Sequence, residues 1–186
     1  MLDRFLAYPA RYHALETVMR MHSVKRWHMI DTTRQQTMAE HSANVAMLAF
    51  LIVHTAPFEK FQGGMPAMMW GMFHDLQESF TGDLPGHTKK FLTGLKEVEK
   101  AVTPPEFNHH VGVHTQAVVK LCDLADGIRF IRLHGVDATA HHAQKQIEEQ
   151  LEEKFISVRK DLGWEDNLVE HVQDYIMFYA YESARA

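Results

Sequence analysis

The chain has 186 residues, 46% of them hydrophobic, which is enough to bury one substantial core, so we expect a single domain spanning 1–186. The formal net charge of −5 gives no basic field for non-specific nucleic-acid binding, the single cysteine excludes an internal disulfide framework, and no apolar run reaches the roughly 18 residues of a membrane span. We therefore expect a cytoplasmic protein without nucleic-acid or membrane partners.

Hydrophobic periodicity indicates helices along the chain, and no alternating β-pattern is visible. A polar stretch at 31–36 is predicted to be a loop. Thr37, followed by Glu40 three residues later, is typical of a capping box at the start of a helix that is apolar almost all round. These features predict an all-α helical bundle. In chain order, the predicted helices span about 10–22, 37–53, 66–80, 87–102, 113–134, 139–162 and 165–182.

The last predicted helix carries more apolar surface than a terminal helix of a monomer usually exposes. Its apolar residues are Val172, Tyr175, Ile176, Phe178 and Tyr179. Because large exposed apolar patches mark interaction sites, we expect this helix to lie at a subunit interface of a homo-oligomer.

Ionisable residues stand among apolar neighbours at three places in the chain. His41 lies on a buried stripe of the second helix, His74 and Asp75 directly follow an apolar run at 68–73, and Asp123 is enclosed by apolar residues. Buried charges need compensation, so these positions indicate either a metal site or polar groups paired in the core. Two imidazoles and two carboxylates form a donor set that suits Mn, Fe, Co or Zn. Glu78, one turn after His74, would face the same cavity and could activate a water.

Asp126, one turn after Asp123, is an alternative last member of this set. On the sequence alone it is expected to face solvent or to cap a bend near Gly127. The choice between the two aspartates stays open at this point.

Three strings carry a resemblance to a known superfamily. They are Arg26-Trp27, Ala39-Glu40-His41-Ser42 and His74-Asp75-x-x-Glu78-x-x-Thr81-Gly82-Asp83-Leu84-Pro85. With Asp123, the histidines and aspartate of these strings resemble the metal-binding signature of HD-domain phosphohydrolases. Within that superfamily the strings are similar to the YfbR-type 5'-deoxynucleotidases and to the related phage dATP triphosphohydrolases. The similarity covers roughly residues 15–135.

The resemblance implies the HD-domain helical fold and a set of residue roles. His41, His74, Asp75 and Asp123 would hold a divalent ion of the Zn, Co, Mn or Fe class, with Mg²⁺ as a candidate additional ion. Glu78 would set the attacking water in line with phosphorus. The family pattern Val-Lys-x-Ala-Asp favours Asp123 as the last ligand. The implied substrate contacts are Arg26 with phosphate oxygens, Trp27 with the sugar at the 2'-position, Met29 with the base, Asp83 with the 3'-hydroxyl, and Lys120 with distal phosphates.

The resemblance also implies the activity, a metal-dependent hydrolysis of 2'-deoxynucleotides in a bacterial cell or a phage-infected host. Only 48 positions separate Asp75 from Asp123, a spacing similar to that of the compact phage triphosphohydrolases. We therefore predict a dATP or dNTP triphosphohydrolase, with Lys89, Lys90 and Arg34 as further candidates for distal phosphates. The alternatives are a 5'-deoxynucleoside monophosphatase and a non-catalytic helical module stabilised by a metal.

Overall fold

The computed structural model describes residues 10–57, 59–107 and 110–183. In these ranges the chain is helical, with two isolated β-bridges and no β-strand, so the predicted all-α class is confirmed. None of the helices described there combines the length and apolar character needed to cross a bilayer. The α-helices are α1 (Ala10–Arg20), α2 (Met38–Thr55), α3 (Gly64–Phe73), α4 (Glu78–Thr81), α5 (Gly86–Lys89), α6 (Leu95–Val102), α7 (Val113–His134), α8 (Ala138–Leu162) and α9 (Asp166–Met177). A 3₁₀ turn (Pro105–Phe107) precedes α7, and a π-helical turn (Phe178–Glu182) continues α9.

The core is built around α2 and α7, which are buried along most of their length. The predicted start of α2 is confirmed, because the Thr37 hydroxyl accepts a hydrogen bond from the Glu40 N–H at 3.1 Å. Ile52 of α2 and Leu121 and Ile128 of α7 are completely buried, and each such side chain contributes about 1.5–3 kcal/mol to the free energy of unfolding. Helix α3 packs on α2, while α8 and α9 pack on α7.

The close approach of α2 and α3 depends on Gly71. A Cβ atom at Gly71 would lie 2.9 Å from the Cα atom of Ala46, closer than real Cβ contacts allow. Glycine therefore lets the two backbones meet at this point. The approach brings the rings of His41 and His74 to a centroid separation of 5.5 Å.

The predicted helix over 66–80 is wrong as a single element. Helix α3 ends at Phe73, residues 74–77 form a turn, and α4 begins at Glu78. A continuing helix would bond the Asp75 N–H to the carbonyl of Gly71, but the ring Nδ1 of His74 donates to that carbonyl instead, at 2.8 Å. Side-chain bonds of this kind compete with the helical backbone bonds and favour a helix end.

The predicted helix over 87–102 is likewise divided into α5 and α6. Helix α5 ends at Lys89, and Gly94, with φ = +79°, is the left-handed residue directly before α6. The first helix is also shorter than predicted, because it ends at Arg20 rather than at position 22.

The expectation that the terminal helix exposes its apolar residues is wrong for Val172, Ile176 and Tyr179. Val172 and Ile176 are completely buried in the core of their own chain, and the Tyr179 hydroxyl is bonded to Asp126 of α7. Met177 and Phe178 at the end of this helix are exposed, so a subunit interface there stays a prediction. The homo-oligomer and the single-domain organisation stay predictions.

Candidate metal centre

Four donor groups from three parts of the chain meet at one place. Helix α2 supplies His41, the turn after α3 supplies His74 and Asp75, and α7 supplies Asp123. Each residue offers one ligand atom, and these atoms all lie within 4.8 Å of one another. The structure thus brings together the four side chains singled out in the sequence, and it places Asp123 rather than Asp126 in the group.

The donor atoms of this group are arranged to receive a cation. The Nε2 atoms of His41 and His74 are buried and have no hydrogen-bond partner in the described part of the chain. Each faces a carboxylate, with Asp123 Oδ1 at 3.2 Å from His41 Nε2 and Asp75 Oδ2 at 3.2 Å from His74 Nε2. Ligand atoms around one ion at ~2.1 Å stand roughly 3.0–3.4 Å apart, so the residues fit a divalent metal.

Hydrogen bonds fix the orientation of both imidazoles. His74 Nδ1 donates to the Gly71 carbonyl at 2.8 Å, and His41 Nδ1 donates to Asp126 Oδ2 at 2.7 Å. Such bonds at the second ring nitrogen leave the lone pair of Nε2 for a metal. The expectation that Asp126 faces solvent or caps a bend is wrong, because this carboxylate is buried and accepts hydrogen bonds from four side chains.

The charges of the group also favour a cation. Burial by itself would raise the pKa of Asp75 and Asp123, but a positive neighbour outweighs it in each case: His74 for Asp75, and Lys120 for Asp123. The pKa values of both carboxyl groups therefore lie below their usual range. Burial would lower the pKa of His74, but the Asp75 carboxylate raises it to about 9. A metal ion binding here would displace a proton from His74.

Glu78 lies beside this group at the start of α4. Its side chain is 2% exposed, and its Oε2 atom has no hydrogen-bond partner in the ranges that the structure describes. Burial and the charge of Asp75 raise the pKa of Glu78 to about 8, although an ion pair between Lys89 and Glu78 Oε1 opposes the rise. The free oxygen is therefore available for proton transfer.

Arg26 and Trp27 form one wall of the site. The Arg26 guanidinium is buried, with its two terminal nitrogens 3.7 Å from Asp75 Oδ2 and 3.9 Å from Asp123 Oδ1. Trp27 has φ = +63°, a strained conformation for a bulky residue, and its backbone N–H donates to Asp83 Oδ2 at 3.2 Å. Strain of this kind is typical of functional sites, where the surrounding structure holds it in place.

Comparison with known protein families shows which family the chain belongs to. The family model described as "5'-deoxynucleotidase YfbR-like" matches residues 13–110. The chain belongs to the YfbR-like family. A dATP triphosphohydrolase of Salmonella phage PMBT28 is 29% identical over 168 residues, covering 82% of each protein. The 5'-deoxynucleotidase YfbR of Salmonella paratyphi B is 32% identical over 93 residues, covering 48% of this chain and 46% of that protein.

A solved structure resembles this YfbR-like chain over most of its length. It is the cyanophage S-2L HD phosphohydrolase DatZ bound to dA and one catalytic Zn²⁺ ion, with a TM-score of 0.65 and 24% sequence identity. The match covers 91% of this chain and 95% of that one. The predicted HD-domain fold is therefore confirmed. The family match and the phage relative confirm the prediction of a hydrolase.

The other residues predicted for the site have varied surroundings in the YfbR-like chain. Lys120 lies close to the donor group, with its Nζ 2.6 Å from Asp123 Oδ2. Met29 is 63% exposed, so it does not line an enclosed base pocket. Arg34 forms an ion pair with Glu40, with 2.6 Å between Nη2 and Oε1, and Lys90 is exposed. The roles of these residues stay predictions.

Three residues that contribute to the site were not predicted from the sequence to do so. Gln36, Asn44 and Tyr179 all donate hydrogen bonds to Asp126. Gln36 is 1% exposed although it lies in the stretch predicted as a polar loop. Of the three, only Asn44 had a local hint, because it lies one helical turn after His41 on α2.

Proposed function

We propose that this protein is a metal-dependent dATP triphosphohydrolase that releases deoxyadenosine and triphosphate. The observation that carries the proposal is that, among the described residues, the Nε2 atoms of His41 and His74 and the Oε2 atom of Glu78 have no hydrogen-bond partner, while both imidazoles face a carboxylate. An acid–base group next to the donor set favours catalysis, because a purely structural metal site needs none.

The metal would be held by His41, His74, Asp75 and Asp123. A divalent ion bound there would polarise a phosphoryl oxygen and lower the pKa of a nearby water. Two nitrogen and two oxygen donors suit Zn²⁺ as well as Co²⁺, Mn²⁺ or Fe²⁺. The catalytic Zn²⁺ of the DatZ structure supports Zn²⁺ among these.

The chemistry assigned to the chain itself is proton transfer by Glu78. The oxygen of a water forms a bond to the α-phosphorus, Glu78 Oε2 takes one proton of that water, and the bond from phosphorus to the 5'-oxygen breaks. The 5'-oxygen leaves with a proton, which the carboxylic acid of Glu78 returns. The ion pair with Lys89 holds the other carboxylate oxygen and fixes the direction of Oε2.

Substrate binding is assigned to the wall formed by Arg26 and Trp27. The planar guanidinium of Arg26 suits two phosphate oxygens, and its unpaired buried Nε atom is a donor without another use among the described residues. The Trp27 ring would occupy the space of a 2'-hydroxyl. Asp83 already accepts from the Trp27 N–H through Oδ2, so Oδ1 would accept from the 3'-hydroxyl. Met29 would contact the base.

A triphosphate is favoured over a monophosphate by two observations. Similarity to the phage dATP triphosphohydrolase extends over 82% of the chain, whereas similarity to the monophosphate-directed YfbR covers 48%. Lys120 and Lys89 add two cations beside the donor group, which would balance the charge of the distal phosphates. A 5'-deoxynucleotidase remains the second candidate, because the matching family carries that description.

The test is a reaction of the protein, stripped of metal and reloaded with Zn²⁺, with dATP, dAMP and ATP separately. We expect equimolar deoxyadenosine and triphosphate from dATP, measured by chromatography and ³¹P NMR, and little turnover of dAMP or ATP. Turnover of dAMP alone would replace this proposal by the 5'-deoxynucleotidase. Full metal occupancy without hydrolysis of any of the three would favour a non-catalytic metal-stabilised module.

The setting of this activity is also a proposal. We place the enzyme in the cytoplasm of a bacterial or phage-infected cell, where deoxynucleotides are available, and the phage and bacterial relatives support this. A net charge of −5 supports a small-molecule substrate rather than a nucleic-acid partner. The predicted homo-oligomer is tested by sedimentation of the purified protein.

A further inference from the structure

We propose that Asp126 and Tyr179 are positioning residues that connect the C-terminal π-helical turn to the metal ligand His41. The inference rests on the metal site of the proposed function. Asp126 is 1% exposed and lies on α7, one turn beyond Asp123. Its carboxylate accepts a hydrogen bond from His41 Nδ1 at 2.7 Å and one from the Tyr179 hydroxyl at 2.6 Å.

The neighbours of Asp126 determine which nitrogen of His41 carries the proton. Gln36 Nε2 donates to Oδ2 at 2.7 Å and Asn44 Nδ2 donates to Oδ1 at 2.9 Å, and amide nitrogens can only donate. A carboxylate surrounded by donors acts as an acceptor, so His41 must present Nδ1–H to it. The lone pair of His41 then resides on Nε2, the atom that faces Asp123 and the donor group. Asp126 thereby selects the imidazole tautomer that can bind a metal.

Tyr179 reaches Asp126 because the π-helical turn is attached to α7 at several points. The Arg132 guanidinium donates to the Ala180 carbonyl at 2.6 Å, and Ala180 itself is completely buried. The Arg129 guanidinium lies 5.2 Å from the centre of the Tyr179 ring. A π-helical turn shifts side chains out of the α-helical register, and such turns are frequent at functional sites. The turn lies outside residues 13–110, the part matched by the family.

The Asp126 carboxylate also links the wall formed by Arg26 and Trp27 to the donor group. Gln36, which donates to Asp126 through Nε2, accepts through Oε1 a hydrogen bond from Trp27 Nε1 at 3.0 Å. The ring of Trp27 is further held by stacking on Phe130 of α7, with ring centroids 6.3 Å apart. A displacement of Asp126 would therefore be transmitted to both His41 and Trp27. Positioning through such outer partners typically contributes 10- to 100-fold in metal affinity, by order of magnitude.

The chain supplies a matched control for Tyr179. Tyr181 belongs to the same π-helical turn and has a partly buried hydroxyl that donates to Glu148 at 2.9 Å. Its ring lies 4.8 Å from the Arg132 guanidinium, as that of Tyr179 lies near Arg129. Glu148 is on α8, and among the described residues the hydrogen bonds to Asp126 come from other side chains. Tyr181→Phe removes the same atom from the same turn but leaves the link to His41 intact.

The test is the Zn²⁺ affinity of the metal-free full chain, measured by competition with a chromophoric chelator, for wild type, Asp126→Asn, Tyr179→Phe and Tyr181→Phe. We expect Zn²⁺ binding to weaken by roughly 10- to 100-fold for Asp126→Asn and by about 2- to 10-fold for Tyr179→Phe, with Tyr181→Phe within about twofold of wild type. The visible spectrum of bound Co²⁺ should change in the first two variants and not in the third. This spectrum reports ligand geometry and is insensitive to a general loss of stability.

Three results would overturn the inference: unchanged Zn²⁺ affinity in Tyr179→Phe, an equal loss in Tyr179→Phe and Tyr181→Phe, or an unchanged Co²⁺ spectrum in Asp126→Asn. If Asp126→Asn does not fold, the Zn²⁺ affinities of Tyr179→Phe and of its control Tyr181→Phe still test the inference. The affinities are independent of substrate. If the wild-type protein binds Zn²⁺ but hydrolyses no nucleotide, the proposed function is contradicted. The relative Zn²⁺ affinities of the variants still test the connection from Tyr179 through Asp126 to His41 in that case.

Discussion

Gly71→Ala tests whether the contact between α2 and α3 sets the metal site. The added Cβ would lie 2.9 Å from Ala46 Cα, 3.1 Å from Ala46 N and 3.3 Å from the carbonyl carbon of Val45. All three are backbone atoms of α2 and cannot rotate away. Ordinary carbon contacts are about 3.5–4.0 Å, so the helices must separate by roughly 0.6–1 Å.

This separation has two consequences of different size. Overpacking costs about 1–3 kcal/mol, and alanine regains about 1 kcal/mol over glycine within a helix, so the net loss in the free energy of unfolding is at most about 2 kcal/mol. His74 is tied to the Gly71 carbonyl and moves with α3, away from His41 on α2. Metal ligands tolerate shifts of only about 0.2 Å, so we expect Zn²⁺ affinity to fall at least tenfold, by order of magnitude.

Gly64→Ala is the matched control, since it places the same methyl group on the same helix. Its Cβ would meet Phe50 Cδ2 at 2.8 Å, Phe50 Cε2 at 2.9 Å and His54 Cβ at 3.2 Å. The closest atoms belong to the end of a half-buried side chain, which can rotate. Chelator competition should therefore give wild-type Zn²⁺ affinity for Gly64→Ala and reduced affinity for Gly71→Ala. Equal affinity in the two variants would refute the argument that the helix contact sets the ligand geometry.

Three further predictions concern the chemistry of the site. Glu78→Gln should lower kcat for dATP by about 10²- to 10⁴-fold while Zn²⁺ stoichiometry stays at wild type, and retained turnover would exclude Glu78 from proton transfer. Trp27→Ala should reduce the preference for dATP over ATP, measured as the ratio of kcat/KM values, by up to roughly 100-fold, whereas an unchanged ratio would remove the ring from sugar selection. Because the pKa of His74 is raised to about 9 in the metal-free protein, Zn²⁺ binding at pH 7 must displace its proton, and Zn²⁺ affinity should increase as the pH rises toward 9. Calorimetry in buffers of different ionisation enthalpy should then report release of at least one proton per Zn²⁺ at pH 7, and release of none would contradict the assignment of His74.

Local signals were enough to predict the long helices. Thr37 and Glu40 mark the start of α2 through a side-chain cap, and Gly135 follows the last residue of α7. These signals act between residues close in sequence, which is why they can be read without a structure. The break after Phe73 could not be read this way. The break depends on a hydrogen bond from His74 Nδ1 to the Gly71 carbonyl, at the place where α3 meets α2.

The residues of the metal group were predictable, but the network behind them was not. His41, His74, Asp75 and Asp123 are polar groups in apolar surroundings, and that contrast is visible in the sequence. The donors Gln36, Asn44 and Tyr179 are ordinary residues whose common partner lies between 53 and 90 positions away. Only the folded chain brings them to one carboxylate.

The terminal helix shows the same difference between pattern and fold. Its apolar residues predicted a subunit interface, because a sequence reports apolar surface but not which surface covers it. In the structure, Val172 and Ile176 face the core formed with α7, and Tyr179 uses its hydroxyl within the chain.

The most direct measurement is anomalous X-ray scattering at the zinc edge from crystals of the Zn²⁺-loaded protein. We predict one strong peak at about 2.0–2.2 Å from His41 Nε2, His74 Nε2 and a carboxylate oxygen of each of Asp75 and Asp123. A peak at any other position, or none in crystals of protein that carries one Zn²⁺ per chain, would contradict this prediction.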